Sequence, residues 1–195
     1  MNPLEAALRR AATDLDKFGY RWALVGGFAV SARSIPRFTH DIDLAVAVAD
    51  DNAAESLVRH LFDCGYFMNA SVEHDNGRLA TIRLRRSFDG VPILVDLLFA
   101  SSGIESEIVS AAEELEIVAD LVLPVATTGH LIALKLLARD DRTRPQDLAD
   151  LHGLLSAATE DDVREARAAV HLITERGFHR DRDLESGLDS LIAAR

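Results

Sequence analysis

Residues 25–46 read VGGFAVSARSIPRFTHDIDLAV: an apolar residue, the diglycine Gly26-Gly27, a short helix-like segment, a loop, and two carboxylates, Asp41 and Asp43, alternating with apolar residues. The alternation predicts a strand, on which Asp41 and Asp43 share one face while Ile42 and Leu44 point into a core. Two carboxylates on one face near the start of a strand supply half of a divalent-cation site. The glycines leave backbone N–H groups free near a helix N-terminus, where phosphate binds well. These parts together suit nucleotide and metal handling. A D-x-D alone is equally explained by capping or a salt bridge; the diglycine and the apolar strand give it meaning.

Outward from this stretch, residues 3–18 carry apolar positions at helical spacing and end at Gly19. Strands are expected over 21–25, 41–48, 66–69, 79–86 and 91–99, with Asp89-Gly90 as a hairpin turn between the last two. Helices are expected over 28–33, 51–62 and 104–114, and a short β-excursion over 115–125. Beyond Thr127 the pattern turns helical: 127–138, 145–156, 159–175 and 183–194. Thr127 or Thr128 and Thr159 are the caps, and Pro145 suits a first turn. A cleft between the α/β part and the helices is the expected ligand site.

The chain has 195 residues, 48% hydrophobic and 27% charged, the composition of a globular protein with a sizeable core. A formal net charge of −11 argues against a broad basic nucleic-acid face but leaves room for a local one. The arginines cluster at Arg83, Arg85 and Arg86, at Arg139, Arg142 and Arg144, and at Arg176, Arg180 and Arg182. The first two clusters are the candidates for a role; the third is expected to be a solvated face. Cys64 is the single cysteine, so neither an internal disulfide nor a thiolate zinc site forms within one chain, and a reducing cytoplasm is the expected compartment. Charges interrupt the N-terminal apolar positions, so no signal peptide is expected, and no apolar run is long enough for a membrane span.

Asp96 sits within VPILVDLLFA, where an unpaired carboxylate would be costly to bury. Either it has a core salt-bridge partner, or it stands beside Asp41 and Asp43 and completes a three-carboxylate site that Mg²⁺ (or Mn²⁺) neutralises. Lys135, within LIALKLLA, either snorkels outward or is buried and directed at phosphates. Asp147 and Asp150 share a helix face at i and i+3, and the helix dipole is sufficient reason for Asp147 in a first turn. Arg37, in the loop before Asp41, is a triphosphate candidate. The seven histidines show no metal spacing.

These residues resemble the DNA polymerase β-type nucleotidyltransferase superfamily and, more closely, the AbiEii-type (MenT-like) toxins of bacterial toxin–antitoxin systems. The stretch VGGFAVSARSIPRFTHDIDLAV and the later PVATTGHLIALKLLARDDRTRPQDLADL carry the resemblance, whose order and spacing span residues 24–151. It implies an α+β fold: a nucleotidyltransferase-type mixed β-sheet lobe with flanking helices over 1–125, then an all-helical lobe over 126–195 that completes the active-site cleft. It further implies Asp41, Asp43, Lys135 and Asp147 as catalytic residues, and Asp41, Asp43 and Asp96 as metal ligands. Gly26, Gly27, Arg37 and Lys135 would hold phosphate. One departure is Phe28, where many members place a serine after the glycines. The reaction implied is transfer of NMP from a nucleoside triphosphate to an acceptor hydroxyl, the 3′ end of tRNA in the toxins, with a cognate antitoxin as partner. An antibiotic nucleotidyltransferase, which would suit the acidic charge, and a non-catalytic binding module are the alternatives. Thr39, two residues before Asp41, is a candidate regulatory phosphosite, since a phosphoryl group there would face the carboxylates and the incoming nucleotide.

Overall fold

The computed structural model describes residues 2–74 and 77–194. Its elements are α1 (Pro3–Lys17), β1 (Arg21–Val25), α2 (Gly26–Arg33), β2 (Asp41–Ala47), α3 (Asp51–Asp63), β3 (Phe67–Glu73), β4 (Leu79–Phe88), β5 (Val91–Leu98), α4 (Glu105–Ala111), β6 (Glu113–Val118), β7 (Leu121–Val125), α5 (Thr128–Ala138), α6 (Pro145–Ala157), α7 (Glu160–Glu175) and α8 (Leu184–Ala193). The strands form one mixed sheet in the order β3-β4-β5-β2-β1-β7-β6. β2 runs antiparallel to β1 and parallel to β5, which places the aspartate strand near the middle of the sheet. The fold is α+β, as the sequence predicts.

Local chemistry fixes the element ends. Asn2 Oδ1 accepts from the Leu4 amide at 3.0 Å while Pro3 occupies the first turn of α1. Thr127 caps α5, and Thr159 with Asp162 forms a capping box at the start of α7. The Asp89-Gly90 turn takes positive φ at both residues (49° and 80°), the geometry of a two-residue hairpin. That turn sets the register of β4 on β5 from Phe88↔Val91 through Arg83↔Asp96 to Thr81↔Leu98.

Two expected boundaries move by three residues or more. The predicted helix over 104–114 stops at Ala111, because Ala112 is extended (ψ 144°) and Glu113 pairs with Val125 at the start of β6. Sheet pairing overrides the helix propensity of Glu113 and Glu114. β3 runs on to Glu73, four residues past its expected end at residue 69, since β4 offers a long edge to pair with.

α1 and α3 close one face of the sheet. Leu44, Val95 and Leu97 meet Ala11, Leu15, Leu61 and Tyr66 there with no room for a water molecule between them. α5 is buried on almost every side, packed among α6, α7 and α8 and touching α2. A helix so enclosed forces any charge on it to find a partner. Among the described residues no helix is long and apolar enough to cross a membrane.

Leu44 is fully buried at the centre of this packing. Leu44→Ala should lower unfolding free energy by about 2–5 kcal/mol, read by urea denaturation; a loss below 1 kcal/mol would contradict this placement of the core.

Candidate active site

β1 ends at Val25, directly opposite Asp43 on β2, and the chain turns at once into α2. The turn needs Gly26: its φ is +63°, and a Cβ there would lie 1.8 Å from Asp43 Oδ2. Gly27 is equally confined, since a Cβ would lie 2.5 Å from Thr39 Oγ1 and 3.2 Å from Arg37 Nη2. No side chain caps the N-terminus of α2, so its first amides are left for an anion.

The parallel pairing of β2 with β5 puts Asp96 directly beside Asp43. Asp41, Asp43 and Asp96 each offer a carboxylate oxygen, all within 4.8 Å of one another. Burial pushes the Asp43 carboxyl up to about 7, and the charges of Asp41 and Asp96 add to the rise against opposition from Lys135 and Arg144. Thr39 Oγ1 donates to Asp41 Oδ1 at 3.1 Å. Arg83 grips Asp96 through both oxygens, at 2.7 and 2.5 Å. Both readings of Asp96 are therefore realised, as ion-pair partner and as neighbour of the other two carboxylates. The set offers three hard oxygen donors within reach of one ion, and it fits Mg²⁺ or Mn²⁺.

Across the cavity, Lys135 is buried and does not snorkel. Its ammonium donates to Asp147 Oδ1 at 2.9 Å and lies 2.8 Å from Asp150 Oδ2. Arg37 reaches over from the loop before β2 and binds both oxygens of Asp150, at 2.7 and 2.8 Å. Burial alone would raise the Asp150 pKa, but hydrogen bonds from Arg37, Lys135 and Gln146 hold it below the usual carboxylate range. Arg144 Nε lies 2.8 Å from Asp147 Oδ2 in an ion pair without hydrogen-bond alignment. The result is a chain of alternating charge, Arg37–Asp150–Lys135–Asp147–Arg144.

All of these groups but Asp150 border, with Asp41, Asp43 and Asp96, a cavity of about 430 Å³ that also takes in Gly27, Thr39, Arg83 and Gln146. A second chamber of about 210 Å³ adjoins it past Asp43 and Lys135, walled by Leu98, Leu131, Leu134 and Leu137 and edged by Arg180. All the sequence-derived candidates, Gly26, Gly27, Arg37, Thr39, Asp41, Asp43, Asp96, Lys135 and Asp147, line one or other chamber. His40 is exposed in the loop. Lys135 departs from expectation in having its charge already met by two aspartates.

Sequence reasoning assigned no role to Asp150, Arg83, Arg144 or Arg180 individually. Arg83 was within reach of it, because a two-residue turn at Asp89-Gly90 dictates that Arg83 faces Asp96. Asp150 carried a signal too, as the i+3 neighbour of Asp147 on a polar face. Arg180 belongs to the cluster expected to be solvated; it is exposed, yet its guanidinium edges the leucine-walled chamber and donates to the Ser101 carbonyl at 3.3 Å. Its left-handed backbone (φ 55°) carries no sequence signal, since arginine rarely adopts it.

A family model described as nucleotidyl transferase AbiEii toxin, type IV toxin–antitoxin system, matches residues 7–193. A search of curated proteins returned no match. Among solved structures, the solution structure of the antibiotic-resistance factor ANT(2″)-Ia is 18% identical with a TM-score of 0.50, covering 100% of this chain and 96% of that one. A lincomycin-bound lincosamide antibiotic adenylyltransferase, LnuA, is 15% identical with a TM-score of 0.49, covering 79% of this chain and 98% of that one. At 18% identity the likeness to ANT(2″)-Ia is one of fold.

A carboxyl raised to about 7 in the fold from 3.8 withdraws stability as pH climbs between those values, because only the unfolded chain is then free to ionise. In the absence of divalent ions, Asp43→Asn should therefore raise the melting temperature at pH 8 and leave it little changed at pH 4. Mn²⁺ should stabilise the unsubstituted chain at pH 8, by about 2.7 kcal/mol at a hundred times its Kd, and should lose that effect in Asp43→Asn. Equal Mn²⁺ responses in thermal melts of the two proteins would rule out the carboxylate cluster as the ion's site.

Proposed function

The chain belongs to the AbiEii nucleotidyltransferase toxin family, and from that premise we propose that it transfers NMP from a nucleoside triphosphate to the 3′-terminal hydroxyl of tRNA, arresting growth unless a cognate antitoxin intervenes. The observation that carries the reading is the convergence of three carboxylates, within 4.8 Å of one another, with an uncapped helix start and a lysine–arginine cluster around one cavity. We read residues 1–125 as the nucleotidyltransferase lobe and 126–195 as the helical lobe that completes the cleft, with the cytoplasm as its place of action.

In the reaction the acceptor oxygen attacks the α-phosphorus, the new O–P bond forms in line with the bond to the β-phosphate, pyrophosphate leaves and the hydroxyl proton is released. A Mg²⁺ or Mn²⁺ ion held by Asp41 and Asp43, with Asp96 as third ligand, would supply positive charge to the attacking and leaving oxygens. Gly26 and Gly27 let the triphosphate approach the α2 amides without steric hindrance. Lys135, Arg37 and Arg144 offset its charge, most strongly as pyrophosphate departs. Asp147 and Asp150 hold Lys135 in place from two sides, so Asp147 acts through the lysine. Thr39, half-buried against Asp41, supports a regulatory reading: a phosphoryl group on its hydroxyl would set about two negative charges beside the metal ligands.

A small-molecule acceptor is the second reading, favoured by the net charge of −11 and by the 210 Å³ chamber, walled in part by leucines.

Purified protein incubated with Mg²⁺, total tRNA and each α-labelled NTP in turn should label tRNA with at least one nucleotide. Asp41→Ala should abolish the label, and Lys135→Ala should reduce it by two orders of magnitude or more, the usual loss for one preorganised charge. Thr39→Glu should inhibit where Thr39→Ser does not. Label transferred to no RNA by any NTP would turn the reading towards a small-molecule acceptor.

A further inference from the structure

The sheet continues past the carboxylates. The pairings Asp41↔Leu94, Leu94↔Arg85 and Arg85↔Phe67 set these four residues in one row across β2, β5, β4 and β3. Directly opposite residues on paired strands share a face. Arg85 and Phe67 thus lie on the face that carries Asp41, and so does Val72, opposite Thr81. The other face of β4 and β5 is closed, with Ile82, Leu84, Val95 and Leu97 buried in the core, whereas on β3 that face is also open, Met68 being 53% exposed. The carboxylate face is open over β3, all seven of whose residues are exposed. Phe67 is 65% exposed and Val72 57%, apolar surface left open on the face that carries the aspartates. Arg85 is exposed, and among the described residues its guanidinium has neither ion-pair nor hydrogen-bond partner. In a chain of net charge −11, an unpaired arginine across from an exposed phenylalanine is a local feature and not part of a general basic surface.

Aromatic side chains on which bases stack, with cations that follow the phosphates, are how single-stranded nucleic acids are held without sequence readout. We propose that the open face of β3 and β4 is the acceptor track: a nucleotide preceding the reacting 3′ end stacks on Phe67, and a neighbouring phosphate pairs with Arg85. The row from Asp41 to Phe67 crosses three strand spacings, about 14 Å at roughly 4.8 Å each, a span covered by the nucleotides next to a reacting terminus. This inference rests on the tRNA reading and narrows it, because an acceptor bound this way must be single-stranded at its end. A protein strand could add to the β3 edge instead, but backbone pairing there would have no need of Arg85.

The test compares wild type, Phe67→Ala, Phe67→Tyr and Arg85→Ala in two titrations, of tRNA at saturating NTP and of NTP at saturating tRNA. Fluorescence anisotropy of a labelled RNA with an unpaired 3′ end, without NTP, reads binding directly. Phe67→Ala and Arg85→Ala should each raise the KM for tRNA and the Kd for RNA about tenfold. The KM for NTP and the melting temperature should be unchanged, and Phe67→Tyr should behave as wild type. Arg85→Ala should also flatten the salt dependence of RNA binding by about one unit of slope. Wild-type KM and Kd in both alanine variants, with tRNA still labelled, would overturn the track and leave the tRNA reading standing; the β3 edge would then be left for a protein partner. A wild-type protein that labels no RNA overturns both.

Discussion

Crowding of like charge is the constraint on which the site depends. Asp41, Asp43 and Asp96 bring carboxylate oxygens within 4.8 Å of one another on adjacent parallel strands. The strands cannot relax apart, because Ile42, Leu44, Val95 and Leu97 on their reverse face are buried in the core. The repulsion is therefore met by chemistry rather than by movement. Burial above all, and then the charges of Asp41 and Asp96, pushes the Asp43 carboxyl up to about 7. Asp96 is met by the two-pronged grip of Arg83. Gly26 records the same pressure sterically, since nothing larger fits between the end of β1 and the Asp43 carboxylate.

The helices answer with a second arrangement of charge, built by different rules. α5 is enclosed by its neighbours, and a lone ammonium within it would cost several kcal/mol in lost hydration. Lys135 avoids that cost only because Asp147 and Asp150 stand on either side, and they in turn are held by Arg144 and Arg37. Each inner charge has two opposite neighbours, so removing any one leaves a buried partner exposed to uncompensated charge. Arg37 belongs to the loop that leads into β2, and its grip on Asp150 ties the position of that loop to α6.

Much of this was legible in the sequence, and the limits follow from the physics of each element. The alternation in DIDLAV fixed which side chains share a face, and the Asp89-Gly90 turn fixed the hairpin register, because both are local rules with a period of two. The helices beyond Thr127 were read to within a residue or so at each end, since their caps are specific side chains at specific positions. The helix expected over 104–114 ran too far because the pairing of Glu113 with Val125 is contributed by a strand twelve residues away. Lys135 was ambiguous for the same reason. Its helix is nearly uniformly apolar, so no amphipathic stripe distinguishes a buried position from an outward one, and its two partners lie on α6. Arg180 was set aside with its cluster as a solvated face, as an exposed arginine in a charged run looks like any other until the fold sets it at the rim of the leucine-walled chamber.

The two charge arrangements face each other across one cavity, and neither is suited to nucleotide by itself. Carboxylates without a metal ion repel a triphosphate. The cations that should attract it, Arg37, Lys135 and Arg144, are already satisfied by Asp150 and Asp147. A triphosphate entering alone would have to share those cations while pressing against three carboxylates. On the proposed function, a divalent ion held by Asp41, Asp43 and Asp96 would remove the second cost, and a bound triphosphate would offer further oxygen donors to that ion. Each ligand would then lower the free energy of binding the other, and by linkage the effect would be reciprocal. On the proposed function, selectivity for the metal–nucleotide complex over either component would arise from four aspartates and four cations lining a single cavity, with Asp150 holding two of those cations in place.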